Sequence, residues 1–220
     1  MAQSDPARAG PPRGNVVAAP PTLEHHDDPS ERFRTASDGF LARISAVRPE
    51  QWQNPTPCPA WTVHDVTVHV INEQRRTLST VRQCDPQPIH GVAVAEMGQL
   101  ATTDSDADLA AAWSQIGNEL AATMDDPTCL DVKIPTPMGP TPYRNMLDAL
   151  PEDVLIHTWD IARAIGADET LDRSLVEHVY EHLKPLDEVL RQPWAFGPKT
   201  PTPAGADLQT EFLCFVGRHP

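Results

Sequence analysis

Aromatic residues make up only 5% of this 220-residue chain, and its β-branched residues do not collect into alternating runs. Without such runs a sheet has no half-buried face to pack, and an all-α class is expected. No apolar stretch approaches the roughly 20 residues that cross a bilayer. Residues 1–30 also lack the apolar core of a signal peptide, and a cytoplasmic protein is expected. Positive charge is scarce: 17 Lys and Arg face 31 Asp and Glu, a net charge of −14. That balance argues against nucleic acid or an anionic membrane as partner. Cysteine pairing is absent too. Cys58, Cys84, Cys129 and Cys214 stand far apart with no CxxC spacing, which suits reduced thiols. None has an electropositive neighbour in the sequence, so none is assigned a catalytic role. Only three of the basic residues are Lys against fourteen Arg, a bias common in high-GC bacteria.

Proline, by contrast, is plentiful. The 24 prolines crowd into residues 1–30, 55–59, 127–142 and 193–203, and the segments between them read as helices joined by Pro-rich loops. Residues 1–27 carry too few large apolar side chains to offset ordering entropy and are expected to be a disordered tail. Residues 28–220 then form one domain. Phe33, Ala36, Phe40, Ile44 and Val47 set a 3–4 residue stripe for a helix over 29–47. Thr62 and Asp65 resemble a capping box at the start of a second helix, 63–83, with Val63, Val66, Val70, Leu78 and Val81 facing the core. A third spans 106–124 through Leu109, Trp113, Ile116 and Leu120. The alternation of Leu130, Val132 and Ile134 suggests a short β-hairpin. A fourth helix is expected over 143–165, broken near Pro151 and ended by Gly166. A fifth covers 172–191 with a kink at Pro185, and a short last helix covers 206–217.

The chemistry concentrates on the fourth helix. Asp153 and His157 are four residues apart and project from one face, one turn apart. That face also carries Ile156, Asp160 and Ile161, so a carboxylate there is costly unless paired or bound to a cation. His69, beside Val70 and three residues from Val66, also turns toward the core. Three ligands with open positions are the layout of a catalytic rather than a structural metal site. Two His and one carboxylate suit Zn²⁺ best, with Fe²⁺, Mn²⁺ or Ni²⁺ as alternatives. Each member also has a plainer reading: His69 as a hydrogen-bonded core residue, Asp153 and His157 as a helix-face ion pair. Weaker candidates surround them. Glu73 suits an outer-sphere group, a general base or a solvated charge. Asp160 suits an acceptor that orients a ligand, or a partner for Arg163. Arg75 and Arg76 suit an anionic substrate or an exposed helix face. His64, His178 and His182 read as surface or structural, and His25-His26 as part of the tail.

The segment QWQNPTPCPAWTVHDVTVHVINE resembles the N-terminal signature of the DinB/YfiT-like superfamily, in the branch of the mycothiol-dependent maleylpyruvate isomerases. DVLIHTWDIARAIG resembles that branch's second motif, and AFGPKTPTPAGADLQTEFLCFVGRHP its closing segment. The resemblance implies a four-helix bundle with a divalent metal at one end of its core, held by His69, Asp153 and His157. The acidic ligand of that family is Glu in the isomerases and His in many other members; Asp153 is one methylene shorter than Glu. The resemblance further implies a low-molecular-weight thiol, mycothiol, as cosubstrate and a small electrophile as substrate, with S-transfer, thiol exchange or isomerisation as the reaction. Maleylpyruvate isomerases carry a further C-terminal domain that helps hold the dicarboxylate, whereas 63 residues follow His157 here, so maleylpyruvate is not assigned. A non-catalytic metal-stabilised bundle, or a hydrolase using metal-activated water, remains the alternative. A monomer or homodimer is expected.

Overall fold

A computed structural model describes residues 28–96, 99–136, 139–192 and 196–220. The expected tail at 1–27, with His25 and His26, lies outside the described residues. Helix α1 (Pro29–Ser45) starts on an Asp28 cap and buries Phe33, Ala36, Phe40 and Ile44. Helix α2 (Val63–Val81) starts on the Thr62–Asp65 capping box, both halves of which are made. Helices α3 (Leu109–Met124) and α4 (Leu150–Ile165) complete a four-helix bundle, packed in the order α1–α3–α2–α4 and back to α1. The apolar stripes read from the sequence face inward on α1, α2 and α3. At the α1–α3 crossing Phe40 meets Trp113 edge to face at 4.8 Å, and the Trp113 indole N–H donates to the Ser37 carbonyl at 3.0 Å.

Helix α4 is buried on nearly every side, from Val154 through Ala162. Its second coat is α5 (Arg173–Leu183), which also packs on α7 (Leu208–Phe215). Pro185 ends α5 rather than kinking it: a 3-10 turn at Lys184–Leu186 leads into the short α6 (Asp187–Leu190). The fourth helix likewise starts later than its periodicity suggests. Tyr143–Asn145 form a 3-10 turn, and Pro151 falls in the first turn of α4, where a missing N–H costs nothing. The Leu130–Ile134 alternation yields strand β1 (Lys133–Ile134), antiparallel to β2 (Thr141–Pro142), a much shorter hairpin than most. No helix among the described residues is long and apolar enough to cross a membrane.

Candidate metal centre

Two neighbouring bundle helices and one turn build the site. The turn is the Pro-rich stretch before α2. Thr56 closes it by accepting from the Cys58 amide and donating, through its hydroxyl and its amide, to the Trp61 carbonyl. Ala60 adopts a left-handed conformation at φ 67° to make the reversal. Gln51 and Asn54, just upstream, donate to the free carbonyls of Ile165 and Ala164 at the end of α4, at 2.9 and 3.0 Å. The turn is thereby fastened to the helix that carries Asp153 and His157, and Cys58 and Trp61 are delivered beside them.

The three side chains singled out in the sequence meet. His69 Nε2 lies 3.4 Å from one oxygen of Asp153, and His157 Nε2 lies 3.2 Å from the other. All three donor atoms fall within 4.8 Å of one another. Ligand atoms about 2.0–2.1 Å from a tetrahedral zinc are themselves about 3.3 Å apart, close to the separation of each imidazole from its own oxygen of Asp153. The imidazoles stand nearly perpendicular, 84° apart with centroids 5.4 Å apart, and the half-buried Trp61 ring lies 4.8 Å from His69. His157 is 7% exposed, His69 19% and Asp153 37%, so the group is anchored at the back and open at the front.

The charge of the half-buried Asp153 is balanced by its neighbours. Burial works to raise the Asp153 pKa, but His157 and His69 outweigh it and hold the carboxyl well below the usual range. Burial works to lower the His157 pKa, but Asp153, Asp160 and Cys58 outweigh it and raise the imidazole well above its usual value. A proton on His157 and a divalent cation are therefore alternative ways of neutralising the same carboxylate. The residues present fit the cation.

Behind His157 lies a second group. Its Nδ1 sits 2.8 Å from Asp160, which is fully buried. Asp160 pairs not with Arg163 but with Arg218, whose Nε and Nη2 reach the two carboxylate oxygens at 2.9 and 2.7 Å. Burial opposes ionisation of Asp160, yet His157 and Arg218 bring its pKa down to about 2. Cys58 completes this group: its thiol donates to Asp160 at 3.2 Å and accepts from Arg218 at 3.3 Å. Contrary to the sequence reading, Cys58 thus has an electropositive neighbour, 160 residues away along the chain. Cys58, His157 and Asp160 are also close enough to ligate a metal, but the guanidinium already supplies the positive charge there.

The remaining candidates fall elsewhere. Glu73 is half-buried one turn past His69, outside the converging donors. Arg75 is buried and binds the backbone carbonyls of Val92 and Ala93 together with Asn72, so it anchors a loop rather than a substrate. Arg76 donates to Ala95 and lines a surface cleft of about 530 Å³, nearly two turns along α2 from His69. Arg163 pairs with Glu169. His64 meets Thr103, His178 lies near Asp148 and His182 pairs with Glu152, all away from the converging donors. Arg218 was missed as a site residue. Its only sequence signal was its place in the closing segment.

A four-helix bundle with two His and one carboxylate converging at a solvent-open position defines a candidate mononuclear metal-centre protein. The chain belongs to the family of the mycothiol maleylpyruvate isomerase N-terminal domain, whose model matches residues 33–162. It is 29% identical over 195 residues to an uncharacterized protein of Mycobacterium tuberculosis, Rv0738 in strain H37Rv and MT0763 in strain CDC 1551. The alignment covers 87% of this chain and 98% of each relative. The crystal structure of the mycothiol-dependent maleylpyruvate isomerase has a similar fold, with a TM-score of 0.51 at 13% identity over 73% of this chain and 70% of that one.

Proposed function

We propose that this protein is a metal-dependent enzyme that uses a low-molecular-weight thiol, mycothiol in the first instance, on a small electrophile. The observation that carries the reading is the convergence of His69, Asp153 and His157 in a chain of this family. When bound, a divalent cation at these donors supplies Lewis acidity that favours the thiolate form of a thiol cosubstrate at neutral pH. Zn²⁺ suits the donor set best, with Fe²⁺, Mn²⁺ and Ni²⁺ behind it.

The chain's own residues do the rest. Asp160 holds His157 by its Nδ1, so Nε2 faces Asp153. The Trp61 ring packs against His69, and the exposed side of Asp153 is the approach for substrate. The chemistry this supports is attack of the cosubstrate sulfur on the electrophile: S-transfer, thiol exchange or addition–elimination isomerisation. A cytoplasmic location follows from that thiol dependence.

The test is the metal content of the protein as purified, followed by a panel of thiols against electrophiles. His69→Ala is expected to lose metal and turnover together. Unchanged metal affinity in His69→Ala sinks the ligand assignment, and metal uptake without turnover in any pairing favours the non-catalytic bundle. Turnover of esters or amides with no thiol present favours the hydrolase.

A further inference from the structure

We infer that Arg218 is a positioning residue of the metal centre, acting through Asp160 to fix which nitrogen of His157 faces the donors. The inference rests on the metal reading above. Arg218 comes from the closing segment after α7, and its guanidinium is spent entirely on the interior. Nε and Nη2 grip both oxygens of Asp160 at 2.9 and 2.7 Å, while Nη1 donates to the Val216 carbonyl at 3.1 Å. Its backbone is fixed as well: the amide donates to the Leu213 carbonyl at 2.8 Å, and its carbonyl accepts from Thr200. Only 12% of the side chain is exposed, and Asp160 is 0% exposed.

A planar fork holding both carboxylate oxygens leaves Asp160 little rotational freedom. One of those oxygens, Oδ2, also takes the His157 Nδ1 proton at 2.8 Å. With the proton held on Nδ1, Nε2 is the nitrogen that presents its lone pair toward Asp153 and His69 once a metal is bound. The Cys58 thiol fills the remaining space on Oδ2 at 3.2 Å, so no other donor is needed to satisfy it. Arg218 touches none of the three ligands in this arrangement. Its contacts reach His157 through Asp160 at 2.8 Å and, more loosely, through Cys58, whose sulfur lies 3.9 Å from His157 Nδ1; on Asp153 it acts only by its charge.

The experiment is Zn²⁺ affinity of the full chain by chelator competition, for wild type, Arg218→Met, Arg218→Lys, Asp160→Asn and the Arg218→Met/Asp160→Asn double variant. Outer-sphere partners of a metal-bound His are worth about 10–100-fold in affinity, and a loss of that order is expected for Arg218→Met. Arg218→Lys keeps the charge without the fork and should recover part of the loss. It also serves if the Met variant fails to fold. The double variant should bind no more weakly than Asp160→Asn alone, because the two residues act in series. Long-range nitrogen–proton spectra of the zinc-loaded protein should show His157 protonated at Nδ1 in wild type and disturbed in Arg218→Met.

Arg163→Gln is the control. It loosens the same tail, since Arg163 donates to the His219 carbonyl, but it does not touch Asp160. An equal loss of affinity in Arg163→Gln, additive losses in the double variant, or unchanged affinity in Arg218→Met each overturn the positioning role. If wild type binds no Zn²⁺, or His69→Ala binds as well as wild type, the metal reading falls and this inference with it.

Discussion

At the scale of single residues, the buried polar groups are costly enough to be individually testable. Tyr143 is wholly buried, with its hydroxyl 3.0 Å from Thr123. Burial pushes its pKa up to about 12, against about 10 in the unfolded chain. A group raised in this way stabilises the fold fully below pH 10, and that contribution is lost as pH rises through 12. A rise from about 10 to about 12 corresponds to roughly 2–3 kcal/mol. Wild type should therefore lose about that much stability relative to Tyr143→Phe between pH 10 and pH 12, in paired urea titrations. A flat difference across that range would mean that the hydroxyl ionises freely. Asp153→Asn tests the metal site at the same scale. It keeps the size of the side chain but removes the charge facing both imidazoles, so Zn²⁺ affinity should fall by at least tenfold with the fold retained by circular dichroism.

Elements matter here because each ligand is only as well placed as its helix. Helix α2 carries His69 seven residues into its length, and the reciprocal Thr62–Asp65 box sets where that helix begins. Thr62→Ala should cost about 1 kcal/mol, the usual worth of an N-cap side chain, read as a shift in the urea midpoint. Between α1 and α3 the helices approach so closely that a Cβ on Gly117 would stand 2.5 Å from the Ser37 hydroxyl. Gly117→Val should destabilise by about 1–3 kcal/mol through overpacking, despite the removal of a helical glycine. A more stable variant by thermal melting would show that Ser37 simply turns aside. The helices themselves were largely legible from the sequence: α1 and α3 each bury one stripe and expose the other face, while α2, with none of its residues fully exposed, was marked by the capping box at its start. Helix α4 was harder to delimit: it is buried all round, so periodicity carried no boundary, and Pro151 belonged to its first turn instead of its interior.

For the whole molecule, a metal that binds only the folded chain is a stability reagent. Zn²⁺ at about 100 times its dissociation constant should add about 2.7 kcal/mol. The melting temperature should rise with metal, return on chelation, and stay unmoved in His69→Ala. Mycothiol added to the metal-loaded protein should raise it further; no added shift with any thiol would count against a thiol cosubstrate. The bundle and its second coat of α5 and α7 act together in this, since the closing segment reaches back across α4 to Asp160.

The amino-acid sequence by itself determined the helical class, the faces of the bundle helices and the pairing of Asp153 with His157, because these depend on spacing within one helix. It also marked His69 and Asp160 as candidates. What it left open were the partners drawn from distant segments. Arg218 reaches Asp160 over 58 residues and Cys58 over 160, and Arg75 turned out to serve a loop. Only the tertiary structure decided these, because a fully buried carboxylate must be balanced by whichever cation the fold brings to it, and no local pattern says which one that will be.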